Sequence, residues 1–208
     1  TPSRASRAAA PTPPAIAMLW AHPVPDAFRA RFAATARHYA YLLLARPERP
    51  GLMAGRVGWY HRPLDLDAMR SAAALALGRH DFSSFRASGC QAKSPVKTIH
   101  RFELSARADL IRIDVSADAF LHHMVRILVG ALGEIGAGRL EPDFPLLRAP
   151  AWLGELLDAR DLTKGPATFA PDGLYFCGAD YDAAYGLPAT RRELGFGGMQ
   201  GQTRLSGM

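Results

Sequence analysis

Cysteine is scarce in this chain, and patterns that bind metal are missing. Only two cysteines, Cys90 and Cys177, occur among the 208 residues, and they lie far apart without Cys-x-x-Cys spacing. This argues against both a disulfide framework and a zinc site. Because no two histidines have the spacing of a helical metal site, we expect no bound metal. The low cysteine usage fits a reducing cytoplasm best.

Long apolar runs and nucleotide-binding motifs are missing as well. A membrane-spanning helix needs roughly 18 consecutive apolar residues, and Arg126 interrupts the one candidate segment. The first residues lack the apolar core of a signal peptide. We therefore expect no membrane association. The sequence contains no Walker glycines and no dinucleotide fingerprint, so we expect no cofactor. It also has no Gly-x-Ser-x-Gly setting for a nucleophilic serine.

Positive charge is what the chain has in excess. Its 25 Lys and Arg residues outnumber its 19 Asp and Glu residues, which gives a net charge of +6 and a pI of about 9.7. A basic excess of this size favours a polyanionic partner such as nucleic acid, although many basic proteins bind none.

The two ends of the chain differ in composition from its middle. Residues 1–14 are Pro, Ala, Ser and Arg with little to bury, and residues 188–208 become Gly-rich and polar. We expect both to be disordered tails. Because the chain starts with Thr and not Met, we also expect that an amino-terminal part is missing.

Between these ends, the periodicity of apolar residues predicts an α+β domain with a mostly antiparallel sheet flanked by helices. Residues 96–106 and 110–118 both alternate strongly and are predicted to form an antiparallel hairpin. The other predicted strands are residues 15–22, 36–45 and 173–181. The predicted helices are residues 64–78, 119–138 and 152–159.

The helix predicted over residues 119–138 is apolar except for an arginine set into it, Arg126. An unpaired guanidinium on a buried face would cost several kcal/mol, so Arg126 either faces water or has a partner. Gly130 follows at i+4 and Gly133 lies just beyond. Since glycine weakens a helix by about 1 kcal/mol relative to alanine, we expect another part of the protein to approach this face closely.

The segment 81–101 combines cations with phenylalanines. Its Lys and Arg side chains could bind backbone phosphate while Phe82 and Phe85 pack beneath them or stack on a base. The alternative is a solvated basic loop with core phenylalanines. On a helix, His122 and His123 would project about 100° apart and could not address one metal ion.

Four stretches together resemble the tRNA pseudouridine synthase A family, in its order and spacing. They are DAFRARFAATARHYAY (26–41), HDFSSFRASGCQAKSPVKTIHR (80–101), AFLHHMVRILVGALGEIGAG (119–138) and DLTKGPATFAPDGLYF (161–176). The resemblance implies that residues 15–187 form the carboxy-terminal portion of a pseudouridine-synthase-like catalytic domain. It also implies a cofactor-free, cytoplasmic homodimer that converts uridines in the anticodon stem of tRNA to pseudouridine.

The resemblance also implies roles for individual residues. Arg126 matches the arginine that holds the nucleophilic aspartate of a Gly-Arg-Thr-Asp block. Tyr39 matches the tyrosine that packs on the target base, and Leu174 matches the leucine that closes the other side of the pocket. The residues expected to contact RNA are Phe85, Arg86, Lys93, Lys97, Arg101, His122 and His123.

The sequence departs from the family pattern in one respect. No Gly-Arg-Thr-Asp block occurs in the 208 residues, and Asp26, Asp81 and Asp161 belong to other family motifs. Glycosidic cleavage needs a carboxylate within bonding reach, so we expect a truncated chain that is inactive alone. The alternative is a non-catalytic RNA-binding remnant.

Overall fold

The computed structural model of the protein describes residues 13, 16–138, 150–189 and 192. Within this part of the chain, six strands form one sheet. The strands, β1 to β6 in chain order, are Ala34–Ala45, Gly58–Tyr60, Gly78–Asp81, Val96–Arg107, Leu110–Ala117 and Leu174–Tyr181. The α-helices of the described residues, α1 to α4, are Ala30–Ala33, Leu66–Leu75, Met124–Gly138 and Ala151–Ala159.

The sheet is mostly antiparallel, which confirms the predicted fold class. Its strand order is β2-β1-β5-β4-β3, and β6 pairs with the same edge of β1 as β2 does. Only the short pair β1–β2 is parallel. The predicted hairpin is β4–β5, which pairs from Arg107 opposite Leu110 to Ile99 opposite Ala117.

The main core lies between one face of the sheet and the helices. Tyr41 and Leu43 on β1 belong to this core, whereas Leu42 and Leu44 belong to a smaller cluster on the opposite face. This division follows from the two-residue period of a strand. Helix α2 packs against both α3 and α4, so the three longer helices cover the face on which Tyr41 lies.

Two helices show why the sequence folds as it does locally. At the start of α2, the Asp65 carboxylate accepts a hydrogen bond of 2.9 Å from the Ala68 N–H, which satisfies a donor that the helix leaves unpaired. Helix α3 is buried along most of its length, which fits its nearly continuous apolar sequence.

Helix α3 starts later than the sequence predicts, at Met124 instead of Ala119. His123 has a φ of +62°, a left-handed conformation that a right-handed helix does not accommodate. The residues before it form a turn. His122 and His123 therefore lie in this turn and not on a helix.

The strand predicted over residues 15–22 is wrong. Of these, residues 16–22 are described, and they form no strand and are mostly exposed. An apolar run is a strand only where it pairs with another strand, and no strand of the described sheet pairs with residues 16–22. The strands β2 and β3 are too short to produce a pattern in the sequence.

The predicted tails fall largely outside the described residues. Of residues 1–14 only Pro13 is described, and of residues 188–208 only 188, 189 and 192 are described. No helix in the described part of the chain is long and apolar enough to cross a membrane. Within the same residues, no group of three or more His, Cys, Asp or Glu side chains could hold a metal ion.

Candidate functional site

Arg126 lies in the first turn of α3 and is half-buried. Its Nε donates a hydrogen bond of 2.7 Å to the carbonyl oxygen of Phe169. The N–H of Phe169 in turn donates to the Arg126 carbonyl at 3.3 Å. Two hydrogen bonds thus join the start of α3 to the segment that precedes β6.

The guanidinium has more donors than this contact uses. An arginine side chain carries five N–H donors, and the Phe169 carbonyl accepts from one of them. Among the residues that the structure describes, no carboxylate lies within ion-pair distance of Arg126. The side chain is therefore held in a fixed direction and still able to receive an anionic group.

The expected close approach to the glycine face of α3 is confirmed. A Cβ added at Gly130 would lie 2.6 Å from the carbonyl oxygen of Ala167, and one at Gly133 would lie 3.1 Å from the ring of Tyr60. The segment containing Ala167 and Phe169 lies directly on this face. Only a residue without a side chain allows backbone to approach a helix so closely.

Tyr39 and Leu174 lie on the same face of the sheet, on neighbouring strands. Leu174 pairs with Tyr41, and Phe176 pairs with Tyr39. The Tyr39 ring is half-buried. Its centroid lies 5.2 Å from that of Phe120 and 5.3 Å from that of Phe176, and both contacts are edge to face. Phe176 itself is 60% exposed, so the aromatic cluster around Tyr39 opens to solvent.

Tyr41 connects this strand face to Arg126. Its hydroxyl donates a hydrogen bond of 2.9 Å to the Ala170 carbonyl. Burial raises the pKa of the Tyr41 phenol far above its usual value, while the positive charge of Arg126 opposes the rise and Asp172 adds to it. Burial also raises the pKa of Tyr39, against the opposing charge of Arg37. Both phenols are therefore protonated at neutral pH and act as packing and donor groups, not as bases.

The turn before α3 carries two histidines whose ring centroids lie 3.9 Å apart. Partial burial, followed by the charges of His122 and Arg126, lowers the pKa of His123. His122 is exposed and His123 half-buried. The start of α3 therefore presents two imidazole rings and one fixed guanidinium together.

Cys90 ties the basic loop to this turn, a role that sequence reasoning missed. The His122 N–H donates to the Cys90 Sγ at 3.4 Å, and the Ala87 N–H donates to the His122 carbonyl at 3.1 Å. Burial would raise the pKa of the Cys90 thiol, but the N–H groups of His122 and Ala92 and the charge of Arg86 outweigh it and lower the pKa. Neither Cys90 nor Cys177 forms a disulfide.

The cations expected to contact RNA do not share one surface. Lys93 is exposed in the loop, whereas Arg86 donates to the Cys90 carbonyl at 2.7 Å. Lys97 lies on β4 and donates to the carbonyls of Ser94 and Val96. Arg101 also lies on β4, opposite Ser116 on the face away from the helices, and pairs with Glu103 at 2.7 Å. Of these cations, Arg86 is the one whose contact with Cys90 links it to the turn before α3, and Arg101 lies on the opposite face of the sheet.

The phenylalanines of the segment belong to the core. Phe82 and Phe85 are both fully buried, so the rings pack beneath the loop. The structure gives Phe85 a packing role, because a fully buried ring has no free face to stack on a base. The same two rings meet at 6.0 Å and support the loop from below.

Known proteins are similar to this sequence over most of its length. The family profile described as tRNA pseudouridine synthase matches residues 72–182. The tRNA pseudouridine synthase A of Chromobacterium violaceum is 54% identical over 177 residues, which is 85% of this chain and 64% of the relative. The protein of the same name from Methylobacillus flagellatus is 50% identical over 185 residues, 89% of this chain and 68% of the relative. The chain belongs to the tRNA pseudouridine synthase family.

The match to the tRNA pseudouridine synthase family includes Arg126 and Leu174, whereas Tyr39 precedes residues 72–182. The chain spans about two thirds of the length of the curated relatives, since the protein from Dechloromonas aromatica, 51% identical, is also covered over 64% of its length. Family membership therefore rests on a long, highly identical alignment.

Two residues that complete the site were not assigned a role from the sequence. Phe169 accepts the Arg126 hydrogen bond, and Tyr60 occupies the space above Gly133. Phe169 lies within one of the four family-like stretches, but no local pattern indicates which of its backbone groups meets α3. Tyr60 lies on a strand too short to be predicted. Gly133 was the sequence signal for Tyr60, and Gly130, which meets Ala167, was the signal for the segment that contains Phe169.

Proposed function

We propose that this chain is the part of a tRNA pseudouridine synthase A that binds tRNA and supplies the arginine of the catalytic centre. The reaction is the conversion of a uridine in the anticodon stem to pseudouridine. The observation that carries the proposal is Arg126, which is half-buried and oriented by the Phe169 carbonyl but has no carboxylate partner among the described residues. The proposal extends to a cytoplasmic homodimer that needs no cofactor.

Each residue of the site has a role in the proposed chemistry. An aspartate drives cleavage of the bond between N1 of the base and C1′ of the ribose, and the freed base turns and forms a new bond from its C5 to C1′. The proton on C5 is then lost to solvent, and N1 gains a proton in place of its bond to C1′. Arg126 holds the aspartate in position, since a guanidinium fits a carboxylate with two parallel hydrogen bonds. Tyr39 packs on the base, and Leu174 closes the pocket from β6. Positioning of this kind removes much of the barrier to such a step.

The tRNA must also present its base outside the stem. Extruding a base costs a few kcal/mol, which contacts with the neighbouring backbone can offset. Lys93, Arg86 and His122 lie near the turn before α3 and can contact phosphates there. This favours RNA binding by the basic loop together with the helix start.

We expect a polypeptide of only these 208 residues to form no pseudouridine on an unmodified tRNA transcript. The sequence contains no Gly-Arg-Thr-Asp block, and neither Arg126 nor Tyr39 can replace a nucleophilic carboxylate. The assay is release of tritium from transcripts labelled at C5 of uridine. The Chromobacterium violaceum relative serves as the positive control. Turnover by the purified chain at a rate similar to that of the relative would contradict the inactivity.

We expect the same polypeptide to bind tRNA with an affinity that decreases steeply as salt increases. Each phosphate that a Lys or Arg neutralises releases counterions, so the logarithm of the binding constant falls linearly with the logarithm of salt concentration. Filter binding between about 50 and 200 mM salt measures the slope. Lys93→Gln should reduce the slope by about one unit, and Arg79→Gln, on β3 outside the loop, should not. A flat response of the unsubstituted chain would reject tRNA binding.

The alternative function is a non-catalytic RNA-binding module, favoured by the missing aspartate block. Both candidates predict salt-dependent binding of tRNA. They differ in what binding does to the target base, because only the synthase site needs the uridine out of the stem. A fluorescent base analogue beside the target uridine should brighten on binding if the base is extruded and should stay unchanged for a module that only contacts the backbone.

A further inference from the structure

Beyond the residues already assigned, three nearly parallel rings extend outwards from the Phe169 end of the site. Phe169 and Tyr60 have ring centroids 6.3 Å apart with an interplanar angle of 13°, and Tyr60 and His61 are 5.6 Å apart at 12°. We call Phe169, Tyr60 and His61 the three-ring stack. Its inner member accepts the Arg126 hydrogen bond, and its outer member is exposed.

The stack is anchored at its inner end. The Tyr60 ring lies on Gly133 of α3, where an added Cβ would come within 3.1 Å of the ring. The ring centroids of Phe169 and the buried Tyr41 lie 6.1 Å apart. The Phe169 carbonyl accepts a hydrogen bond from the Arg126 side chain, and the Phe169 N–H donates one to the Arg126 carbonyl. The exposed ring of His61 therefore rests on a fixed support and not on a mobile loop.

Cations surround the outer ring. The Arg62 Nε donates to the His61 Nε2 at 2.8 Å, which orients the imidazole with Nε2 as an acceptor. On the other side, Trp59 meets His61 at 6.4 Å, and the Arg49 guanidinium lies 5.4 Å from the centre of the Trp59 ring. In the part of the chain that the structure describes, no carboxylate lies within ion-pair distance of Arg49, whereas Arg46 is near both Glu48 and Asp109.

We propose that the three-ring stack ends in a nucleotide-binding ledge, in which His61 stacks on one base of the RNA while Arg49 and Arg62 contact adjacent phosphates. An exposed ring beside cations is the combination that binds unpaired nucleotides: the ring takes the base, and the cations take the backbone. The inference rests on the proposed function, since the RNA strand leading away from a uridine near Arg126 is what would reach the ledge. The ledge would give the RNA a second contact with the protein, in addition to the pocket at Arg126.

The test is binding of an unmodified tRNA transcript to the 208-residue chain in a salt series. His61→Ala should weaken binding about five- to tenfold, in line with the effect of removing one base-stacking ring. The salt slope should stay unchanged, because a ring that stacks releases no counterion. His61→Trp should restore the affinity. Arg49→Gln should instead lower the slope by about one unit.

Two variants serve as matched controls. His100→Ala removes an exposed histidine from β4, and Arg79→Gln removes an exposed arginine from β3 at the opposite sheet edge. Neither should change affinity or slope, and thermal unfolding should show that each variant keeps its fold. Absence of tRNA binding by the unsubstituted chain would overturn the proposed function and the ledge together. Normal binding that is unaffected by His61→Ala, or not restored by His61→Trp, would overturn the ledge alone.

Discussion

Replacing Gly173 with alanine is expected to destabilise the protein by about 3 kcal/mol or more, because two separate costs add. Gly173 has a φ of +94°, a conformation that alanine adopts only under strain. A Cβ there would also lie 2.4 Å from the Leu42 carbonyl oxygen and 2.5 Å from the Gly58 nitrogen. Both are backbone atoms of β1 and β2, so neither can move aside as a side-chain tip would.

The expected loss is large compared with the total stability of a domain, which is about 5–15 kcal/mol. For a chain of this size it corresponds to a fall in Tm of roughly 6–12 °C. Thermal and urea unfolding of the 208-residue chain measure it. The effect matters for the site, because Gly173 immediately precedes Leu174 and its carbonyl accepts from the Leu42 N–H at 2.9 Å.

Gly55→Ala is the matched control for Gly173→Ala. Gly55 has a φ of +74° but no atom within 4 Å of the added Cβ. Gly55→Ala should therefore lower the free energy of unfolding only by the conformational cost, about 1 kcal/mol. If the two variants were equally stable, the close approach of β1 and β2 to Gly173 would be wrong.

Arg126→Met is expected to cost about 2 kcal/mol, because the Phe169 carbonyl loses its charged donor and methionine cannot replace it. Methionine preserves most of the apolar length of the side chain, so the change reports mainly on the hydrogen bond. The expected fall in Tm is roughly 4–8 °C. Arg126→Lys should lose less, since an ammonium retains a donor although not the planar geometry.

Arg79→Met is the matched control, because Arg79 is exposed on β3 and should tolerate the change within about 0.5 kcal/mol. Hydrogen exchange adds a local readout. The Phe169 N–H donates to the Arg126 carbonyl. Its exchange should be faster in Arg126→Met than in the unsubstituted chain, and the increase should be larger than that of the β4–β5 amides. An Arg126→Met chain as stable as Arg79→Met would mean that the guanidinium moves freely in solvent, and the assignment of the pocket would fail.

Local patterns predicted the elements that are long and regular. The alternation in residues 96–106 and 110–118 predicted the β4–β5 hairpin, and the pattern of residues 36–45 predicted most of β1. The two glycines after Arg126 predicted that another part of the protein would approach α3 closely, and the structure places Ala167 and Tyr60 there. These patterns succeed because they report on a residue's neighbours along the chain and on which side of an element is buried.

Two predicted elements differ from the structure for physical reasons. Residues 16–22 are mostly apolar but pair with no strand of the described sheet. Helix α3 begins late because His123 is left-handed, which no composition rule reveals. The fold also decides which residues of the basic segment are accessible, because it buries Phe85 and turns Arg101 to the opposite face of the sheet.

By itself the sequence determined that this is an α+β protein with the motifs of the tRNA pseudouridine synthase family, because periodicity and motif spacing are properties of nearby residues. Only the tertiary structure decided what meets Arg126, Tyr41 and the loop at Cys90. The partners lie 43 residues away at Phe169, 129 at Ala170 and 32 at His122. Contacts over such separations depend on how the sheet and helices pack, and that packing is a property of the whole fold.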